Sequence, residues 1–149
     1  MRAGYFDGTP LSGSPSDEVL FALPAAPPPP PFARTLPLEV RASGDYEPRW
    51  RVPLDVLGSG VLPVLPLSVY GAVAAARGPE GNDSDAGAFF LFRFARATAG
   101  LGGQACEEGN FSVFGYVTEG TELLRQLGSG DRIQAARLVA GEDRLVVPS

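Results

Sequence analysis

The side chains that could carry out chemistry in this 149-residue chain are arginines, carboxylates, hydroxyls and a single thiol. All 12 basic residues are arginine, and the sequence contains neither histidine nor lysine. Without histidine, no Ser-His-Asp or Cys-His couple can form and imidazole cannot bind a metal. Without lysine, there is no Schiff base and no phosphate-loop lysine. Any catalysis must use arginine, carboxylates, hydroxyls, the backbone or apolar shape, and no metal or cofactor is expected.

The thiol and the adjacent carboxylates offer little that resembles a catalytic group. Cys106 is the single cysteine, so it cannot form a disulfide within the chain. No histidine or lysine is present to promote its thiolate, and we expect it to be inert. Glu107 and Glu108 could suggest an acid–base pair. Neighbouring side chains on an extended chain point apart, however, so a solvated turn is the favoured interpretation.

Composition and charge place these residues in one globular domain. Apolar residues make up 44% of the chain and charged residues 19%, which is typical of a folded protein rather than a disordered one. The net charge is −5, and no basic cluster favours a nucleic-acid partner. No apolar run approaches the roughly 20 residues of a membrane span, and residues 1–4 do not resemble a signal peptide. A single domain over residues 1–149, without a membrane span, is predicted.

The hydrophobic pattern predicts short strands separated by turns, together with a helix. Four phenylalanines fall within residues 88–94, where burial of both faces is expected. A helix is predicted over residues 121–127, with Gly128 just past its end, and a shorter one over 52–57. This pattern is typical of an antiparallel barrel or sandwich. The predicted strands are residues 17–23, 35–42, 66–76, 88–94 and 107–117, with two more around Gly141 within 131–148.

Residues 24–34 form a proline-rich insertion between two of these strands. Pro27 to Pro31 are consecutive. Because proline fixes φ at about −65° and supplies no backbone donor, the run predicts a polyproline II loop. It could be a ligand for an SH3-type domain or a stiff surface connection. The second interpretation is favoured, because Arg34 alone flanks the run at the usual recognition spacing.

Three blocks of sequence, in order, resemble the cyclophilin family of peptidyl-prolyl cis-trans isomerases. Residues 4–8, GYFDG, are similar to the family's G-F-Y-D-G at its first active-site strand. Residues 71–76, GAVAAA, followed by a polar loop and the Ala-Phe-Phe of 88–90, are similar to G-x-x-x-M-A…S-Q-F-F. Residues 107–117, EEGNFSVFGYV, are similar to L-D-G-x-x-x-V-F-G-x-V. Their order and spacing over residues 4–140 make the resemblance specific.

Further details resemble the large thylakoid-lumen cyclophilins of plants and algae. They are Arg77 directly after the alanine run, the loop at 82–84, the block V-F-G-Y-V-T at 113–118 and the insertion at 53–58. The family implies a mainly β fold, an antiparallel barrel capped by helices. Matched to it, this chain lacks the first two strands and the first helix, so an incomplete barrel with a capping helix is expected. A chloroplast thylakoid-lumen localisation is implied in the same way.

The resemblance also implies a reaction, the cis-trans isomerisation of peptide bonds that precede proline. Its barrier of about 18–20 kcal/mol comes from amide resonance, so an apolar proline pocket and a few donors suffice. The substrate-binding positions that carry over are Ala76 at the entrance, Arg77 at a backbone contact, Ala88, Phe90 as pocket floor and Phe111 as wall. Simpler interpretations also exist, since Phe90 could serve only as core and Arg77 only as a solvated charge.

The polar groups of the family's active site are not matched at their expected positions. Gly13 stands where the family has its catalytic arginine, and Phe21 and Ala88 stand at its two glutamine positions. Cys106 takes the place of a pocket tryptophan and Glu107 that of a pocket leucine. No catalytic residue is therefore assigned, and Arg77 is the only substitute donor that the alignment of motifs suggests.

Three functions follow from this combination. The leading hypothesis is a cyclophilin-like domain with a degenerate active site. It would bind proline-containing protein segments as a folding or assembly factor, with thylakoid membrane protein complexes as candidate partners. The second is a weakly active isomerase that uses Arg77. The third is a non-functional truncated fragment of a larger active isomerase.

Overall fold

The computed structural model describes residues 9–12, 19–22, 35–57, 60–77, 83–93, 108–128 and 130–144, and these are mainly β. Gly13, the motif at 4–8, the proline-rich insertion at 24–34, Cys106 and Glu107 lie outside the described residues. The strands, in chain order, are β1 (Thr9–Ser12), β2 (Val19–Ala22), β3 (Thr35–Leu36), β4 (Glu39–Val40), β5 (Arg49–Trp50), β6 (Ala72–Arg77), β7 (Ser84–Phe92), β8 (Val113–Tyr116) and β9 (Arg132–Ile133). Short 3₁₀ helices span Leu54–Leu57, Thr121–Arg125 and Glu142–Arg144.

Seven of the described strands form one antiparallel sheet with β6 and β7 at its centre. The order is β8-β6-β7-β2-β1-β9, and β3 also pairs with β7. β4 and β5 make a separate two-stranded sheet, closed by a turn in which Arg49 Nε donates to Asp45 Oδ2 at 2.6 Å. This hydrogen bond lowers the pKa of the Asp45 carboxyl. β7 thus pairs with three other strands, β2, β3 and β6. Its run of aromatic residues is typical of a strand.

The central strands present a buried face and a half-buried face, because successive side chains of a strand alternate. On the buried face, Ala72 and Ala74 of β6 lie beside Phe90 and Phe92 of β7 in one apolar cluster. The opposite face carries Phe89 and other partly buried hydrophobic residues. Small residues on β6 leave room for large ones on β7, since Ala74 and Phe90 are register partners.

A second apolar cluster joins the two-stranded sheet to the 3₁₀ helix at Leu54–Leu57. It consists of Leu38, Val40, Ala42 and Leu54, all buried. The backbone N–H of Leu54 donates to the carbonyl of Gly109 at 3.3 Å. This cluster therefore supports the turn that precedes β8.

Several sequence predictions differ from the observed elements. The strand predicted over 35–42 is divided into β3 and β4 on either side of Pro37, which lacks a backbone donor. The predicted helix over 121–127 is a 3₁₀ helix at Thr121–Arg125, which is too short for a stable α-helix. Gly120 at its N-cap supplies no side-chain hydrogen bond. A capping α-helix is therefore not observed in the described part of the chain.

The described part of the region predicted to hold the last two strands, residues 131–144, is mostly irregular. It contains the two-residue β9 and a 3₁₀ helix at Glu142–Arg144, and residues 145–148, where most of the second strand is predicted, lie outside the described residues. Among its described apolar side chains, Ile133 of β9 is half-buried, whereas Leu138 and Val139 are 43% and 83% exposed, so little burial stabilises a longer strand before Gly141. Within the described residues the seven-stranded sheet runs from β8 to β9 without closing. The fold is mainly β and consistent with a cyclophilin-like architecture.

Candidate functional site

The apolar residues predicted to bind substrate converge on the buried face of the central sheet. Ala76 of β6 and Ala88 and Phe90 of β7 are buried members of one cluster, and Phe111 packs against it. The Phe90 and Phe111 rings meet edge to face, with centroids 5.1 Å apart and planes at 82°. Such a T-shaped pair holds both rings in a defined orientation. Phe90 and Phe111, two of the predicted positions, therefore lie in contact, and with Ala76 and Ala88 they form one apolar corner.

Arg77 lies at the end of β6 beside this aromatic pair. Its guanidinium carbon is 5.1 Å from the centroid of the Phe111 ring, within cation–π range. One of its nitrogens donates to the backbone carbonyl of Asn110 at 3.3 Å. The structure thus places a half-buried cation at the rim of the apolar corner, with part of its donor capacity already used by the turn at 110–111.

The turn that carries Phe111 is fixed by a glycine and a carboxylate. Gly109 has a φ of +82°, and a Cβ built there would lie 2.5 Å from Leu54. Glu108 accepts hydrogen bonds from the backbone N–H groups of Leu67 at 2.8 Å and Ser68 at 2.7 Å. The expectation that Glu108 lies in a solvated turn is therefore wrong. This half-buried carboxylate satisfies two backbone donors and ties the turn to the 67–68 loop.

Tyr116 at the end of β8 holds the same loop from the other side. Its hydroxyl donates to the carbonyl of Pro66 at 2.9 Å. Burial raises the pKa of the Tyr116 phenol above its ordinary value of 10.0, and the negative charge of Glu108 raises it further. The phenol is therefore a neutral donor at physiological pH, and the loop is held by Glu108 and Tyr116 together.

The backbone register locates one of the positions where the family has a polar group. Phe21 of β2 is the register partner of Phe90, directly across from the apolar floor. Ser12 of β1 pairs in turn with Phe21. Directly opposed residues of an antiparallel pair lie on the same side of a sheet. The backbone position that corresponds to the family's first glutamine is therefore that of Phe21, across from Phe90 in the neighbouring strand.

Two buried polar groups near the Phe90–Phe111 contact were not identified from the sequence. The Ser84 hydroxyl and the Asn110 side-chain oxygen are buried and find no hydrogen-bond partner among the described residues. Ser84 is the register partner of Arg77. Their burial depends on the β6–β7 register and on the turn before β8, and no sequence motif marks either. The polar loop at 82–84 in the family resemblance is the nearest available signal.

Arg93 is a second arginine whose position the sequence did not indicate. It is buried directly after β7, and one guanidinium nitrogen donates to the carbonyls of Leu124 at 3.1 Å and Leu127 at 2.8 Å. Leu124 lies in the last turn of the 3₁₀ helix and Leu127 just beyond its end, where backbone acceptors lack helical partners. Arg93 therefore fastens that helix to the sheet.

The described residues contain no group of three or more cysteine, aspartate and glutamate side chains placed to hold a metal ion. Among the same residues, no helix has the length and apolar character needed to cross a membrane. The corner is thus formed by aromatic and small apolar groups with one arginine.

Comparison with known proteins identifies the family to which the chain belongs. No protein-family model matches the chain. It is 48% identical over 115 residues to the chloroplastic peptidyl-prolyl cis-trans isomerase CYP37 of Arabidopsis thaliana, covering 76% of this chain and 24% of that protein. The chain belongs to the cyclophilin-type peptidyl-prolyl isomerases. Among them it lies near the thylakoid-lumen cyclophilins, as the sequence motifs indicated.

Two further cyclophilin-type relatives agree. A Synechocystis protein, sll0408, provisionally named as a thylakoid lumen peptidyl-prolyl cis-trans isomerase, is 35% identical over 158 residues, covering 98% of this chain and 40% of that protein. Chloroplastic CYP38 of Arabidopsis thaliana is 33% identical over 118 residues, with 78% of this chain and 26% of that protein covered. The chain spans between 24% and 40% of the length of these relatives. Their locations support the expected thylakoid-lumen localisation.

Proposed function

We propose that this cyclophilin-type domain binds proline-containing protein segments at the corner formed by Phe90 and Phe111, with a degenerate isomerase site. The observation that carries the proposal is the T-shaped pair of these rings beside Arg77. Phe111 is the half-buried ring of this pair, while Phe90 is 3% exposed, so the exposed part of the Phe111 ring is the surface that a proline ring would contact. Ala76 and Ala88 keep the neighbouring surface small. The domain would then act on protein clients as a folding or assembly factor, with thylakoid membrane protein complexes among the candidates.

Phe21 and Ala88 stand where the family has glutamines, and this supports weak rather than efficient catalysis. Isomerisation is accelerated only by interactions that strengthen as the amide twists. Phenylalanine opposite Phe90 cannot donate to a substrate backbone, and Ala88 cannot either. Arg77 shares its donors with Asn110 and its cation with the Phe111 ring. These residues therefore favour ground-state binding of a proline ring over stabilisation of its transition state.

Binding can be tested with a capped tetrapeptide that contains alanine followed by proline. We expect Phe111→Ala to weaken its affinity about tenfold, because burial of an aromatic wall contributes at least 1.4 kcal/mol, or about a factor of ten. Phe89→Ala is the matched control, since Phe89 is also a half-buried phenylalanine but lies on the opposite face of the central sheet. Equal weakening by both substitutions, measured by calorimetry, would rule out the Phe90–Phe111 corner.

A weakly active isomerase is the second candidate, and the placement of Arg77 favours it. A guanidinium at the rim of the apolar corner could donate to the substrate as conjugation is lost. In a protease-coupled isomerisation assay, this candidate requires activity above buffer that Arg77→Ala removes. Arg125→Ala is its control, because Arg125 also lies over an aromatic ring, that of Tyr70 at 5.9 Å. An isomerisation rate equal to that in buffer would rule out the isomerase candidate and leave peptide binding as the proposed function.

The same resemblance supports a proposal about architecture. We propose that residues 1–149 form part of a single cyclophilin-like barrel, in which residues 24–34 are a proline-rich loop insertion. The antiparallel order of the described sheet and the small residues of β6 against large ones of β7 support it. Hydrogen exchange at the amides of β8 and β9 tests it, because closure would protect both terminal strands of the described sheet.

A further inference from the structure

A groove of about 410 Å³ lies beside the turn that carries Phe111. Its volume falls within the range of about 300–1,000 Å³ that is typical of ligand sites. The apolar part of its lining includes Pro63, Val64, Leu65 and Phe111, and Glu39 and Arg41 of the β4 region also line it. The side chains of Val64 and Leu65 are 39% and 47% exposed. The groove is thus partly exposed and more apolar than polar, and one residue of each charge lines it.

Hydrogen bonds on both sides fix the shape of this groove. The Glu39 backbone N–H donates to the Ser112 hydroxyl at 2.8 Å, which joins β4 to the turn before β8. The Val64 N–H donates to the Arg41 carbonyl at 2.8 Å, and Pro63 forms a β-bridge with Ala42. Its walls therefore belong to one hydrogen-bonded unit, and a ligand would meet a preformed surface with little ordering cost.

Phe111 connects this groove to the corner described above. The same side chain contacts the Phe90 ring, lies beneath the Arg77 guanidinium and lines the groove. A polypeptide whose proline occupies the corner therefore meets the groove as its chain continues past Phe111. An extended chain advances by about 3.3 Å per residue, so a few residues beyond the proline reach the Val64 wall.

We propose that the groove binds the residues that flank the proline of the same client segment, and that it selects an extended, uncharged aliphatic flank. This inference rests on the proposed binding of proline at Phe90 and Phe111. The charges of Glu39 and Arg41 oppose each other, so the rim attracts neither a strongly acidic nor a strongly basic segment. Burial of aliphatic side chains against Pro63, Val64 and Leu65 supplies the affinity.

The test compares the capped Ala-Pro tetrapeptide with two longer peptides that add three aliphatic residues before or after it. We expect one extension to bind about tenfold more tightly than the tetrapeptide, as burial of one aliphatic side chain predicts. Val64→Asn should remove that gain while the tetrapeptide binds as before. Val69→Asn is the matched control, because Val69 is also a partly exposed valine, 41% against 39%, and is not part of the groove lining.

The outcomes separate this inference from the proposal on which it rests. If the tetrapeptide binds and neither extension gains affinity, the groove has no such role and the Phe111 corner stands. Equal effects of Val64→Asn and Val69→Asn on the longer peptide would also overturn the groove. If no proline peptide binds at all, the proposed function fails and the inference fails with it.

Discussion

Gly109 is the residue at which the turn carrying Phe111 depends most strictly on amino-acid type. Its φ is +82°, and an added Cβ would meet the Cβ and Cγ atoms of Leu54 at 2.5 Å. Left-handed backbone costs a residue with a side chain about 1–2 kcal/mol. Overpacking against a buried side chain costs about 1–3 kcal/mol more. We expect Gly109→Ala to lower the free energy of unfolding by about 2–5 kcal/mol, a large part of the roughly 5–15 kcal/mol of a typical domain.

Gly130→Ala separates the two contributions. Gly130 has a φ of +97°, and nothing lies within 4 Å of a Cβ built there. This control carries the backbone cost without the clash, and both variants share the same gain from a stiffer unfolded chain. Urea denaturation followed by far-UV circular dichroism should give an unchanged slope and a larger loss for Gly109→Ala. Losses that agree within about 0.5 kcal/mol would refute the contact between Gly109 and Leu54.

Three other predictions concern the groups that hold the site. Glu108→Gln should lower the free energy of unfolding by about 1.5–3 kcal/mol, because charge-assisted hydrogen bonds to two backbone donors are weakened; urea denaturation at pH 7 measures it. Since the folded pKa of Tyr116 is raised, its stabilisation is complete below pH 10.0 and is lost as the pH rises through the folded value. Phenolate absorbance should follow that loss. Arg93→Met should lower the free energy of unfolding by about 1–3 kcal/mol, because the buried carbonyl of Leu124 and the half-buried carbonyl of Leu127 lose this donor.

Each of these predictions has a contradictory outcome. A Glu108→Gln variant with the stability of the parent would show that the two backbone donors are equally well solvated without the carboxylate. A Tyr116→Phe variant should lose the alkaline dependence, so an unchanged pH profile would assign that dependence to another group. For Arg93→Met, an unchanged melting temperature would mean that the carbonyls find other partners.

The strands that dominate the sheet could be predicted from the sequence because their own residues favour them. The aromatic run at 88–94 corresponds to β7, and the alanine-rich run ending at 76 corresponds to β6. The expected burial of both faces is confirmed for one face, where Phe90 is 3% exposed, while Phe89 on the other is half-buried. Local propensity and tertiary packing agree in these two strands.

Elements that depend on distant partners were not predictable in the same way. The 121–127 segment has the apolar spacing of a helix, but its short length and the glycine at its start favour a 3₁₀ turn held by Arg93. Glu108 has the appearance of a solvated turn residue, and its two backbone donors lie about 40 residues away in sequence. Neither contact leaves a local pattern.

In the candidate site, too, some features could be predicted from the sequence and others depend on distant contacts. The resemblance identified Phe90 and Phe111 separately, and the structure brings their rings together. It also placed a glutamine position at Phe21, which the register sets opposite Phe90. The buried Asn110 oxygen and the groove beside Val64 depend on how the 108–111 turn meets the 61–69 loop. That meeting follows from tertiary structure alone.

The most direct test of the account is exchange NMR on a proline-containing tetrapeptide mixed with this protein at equal concentration. We predict chemical-shift changes at the amides around Phe90, Arg77 and Phe111. The cis-trans exchange of the peptide should keep a time constant close to the uncatalysed value of about tens to hundreds of seconds. Shift changes elsewhere on the protein, or none, would contradict the binding site. Exchange accelerated a hundredfold or more would contradict the loss of isomerase chemistry.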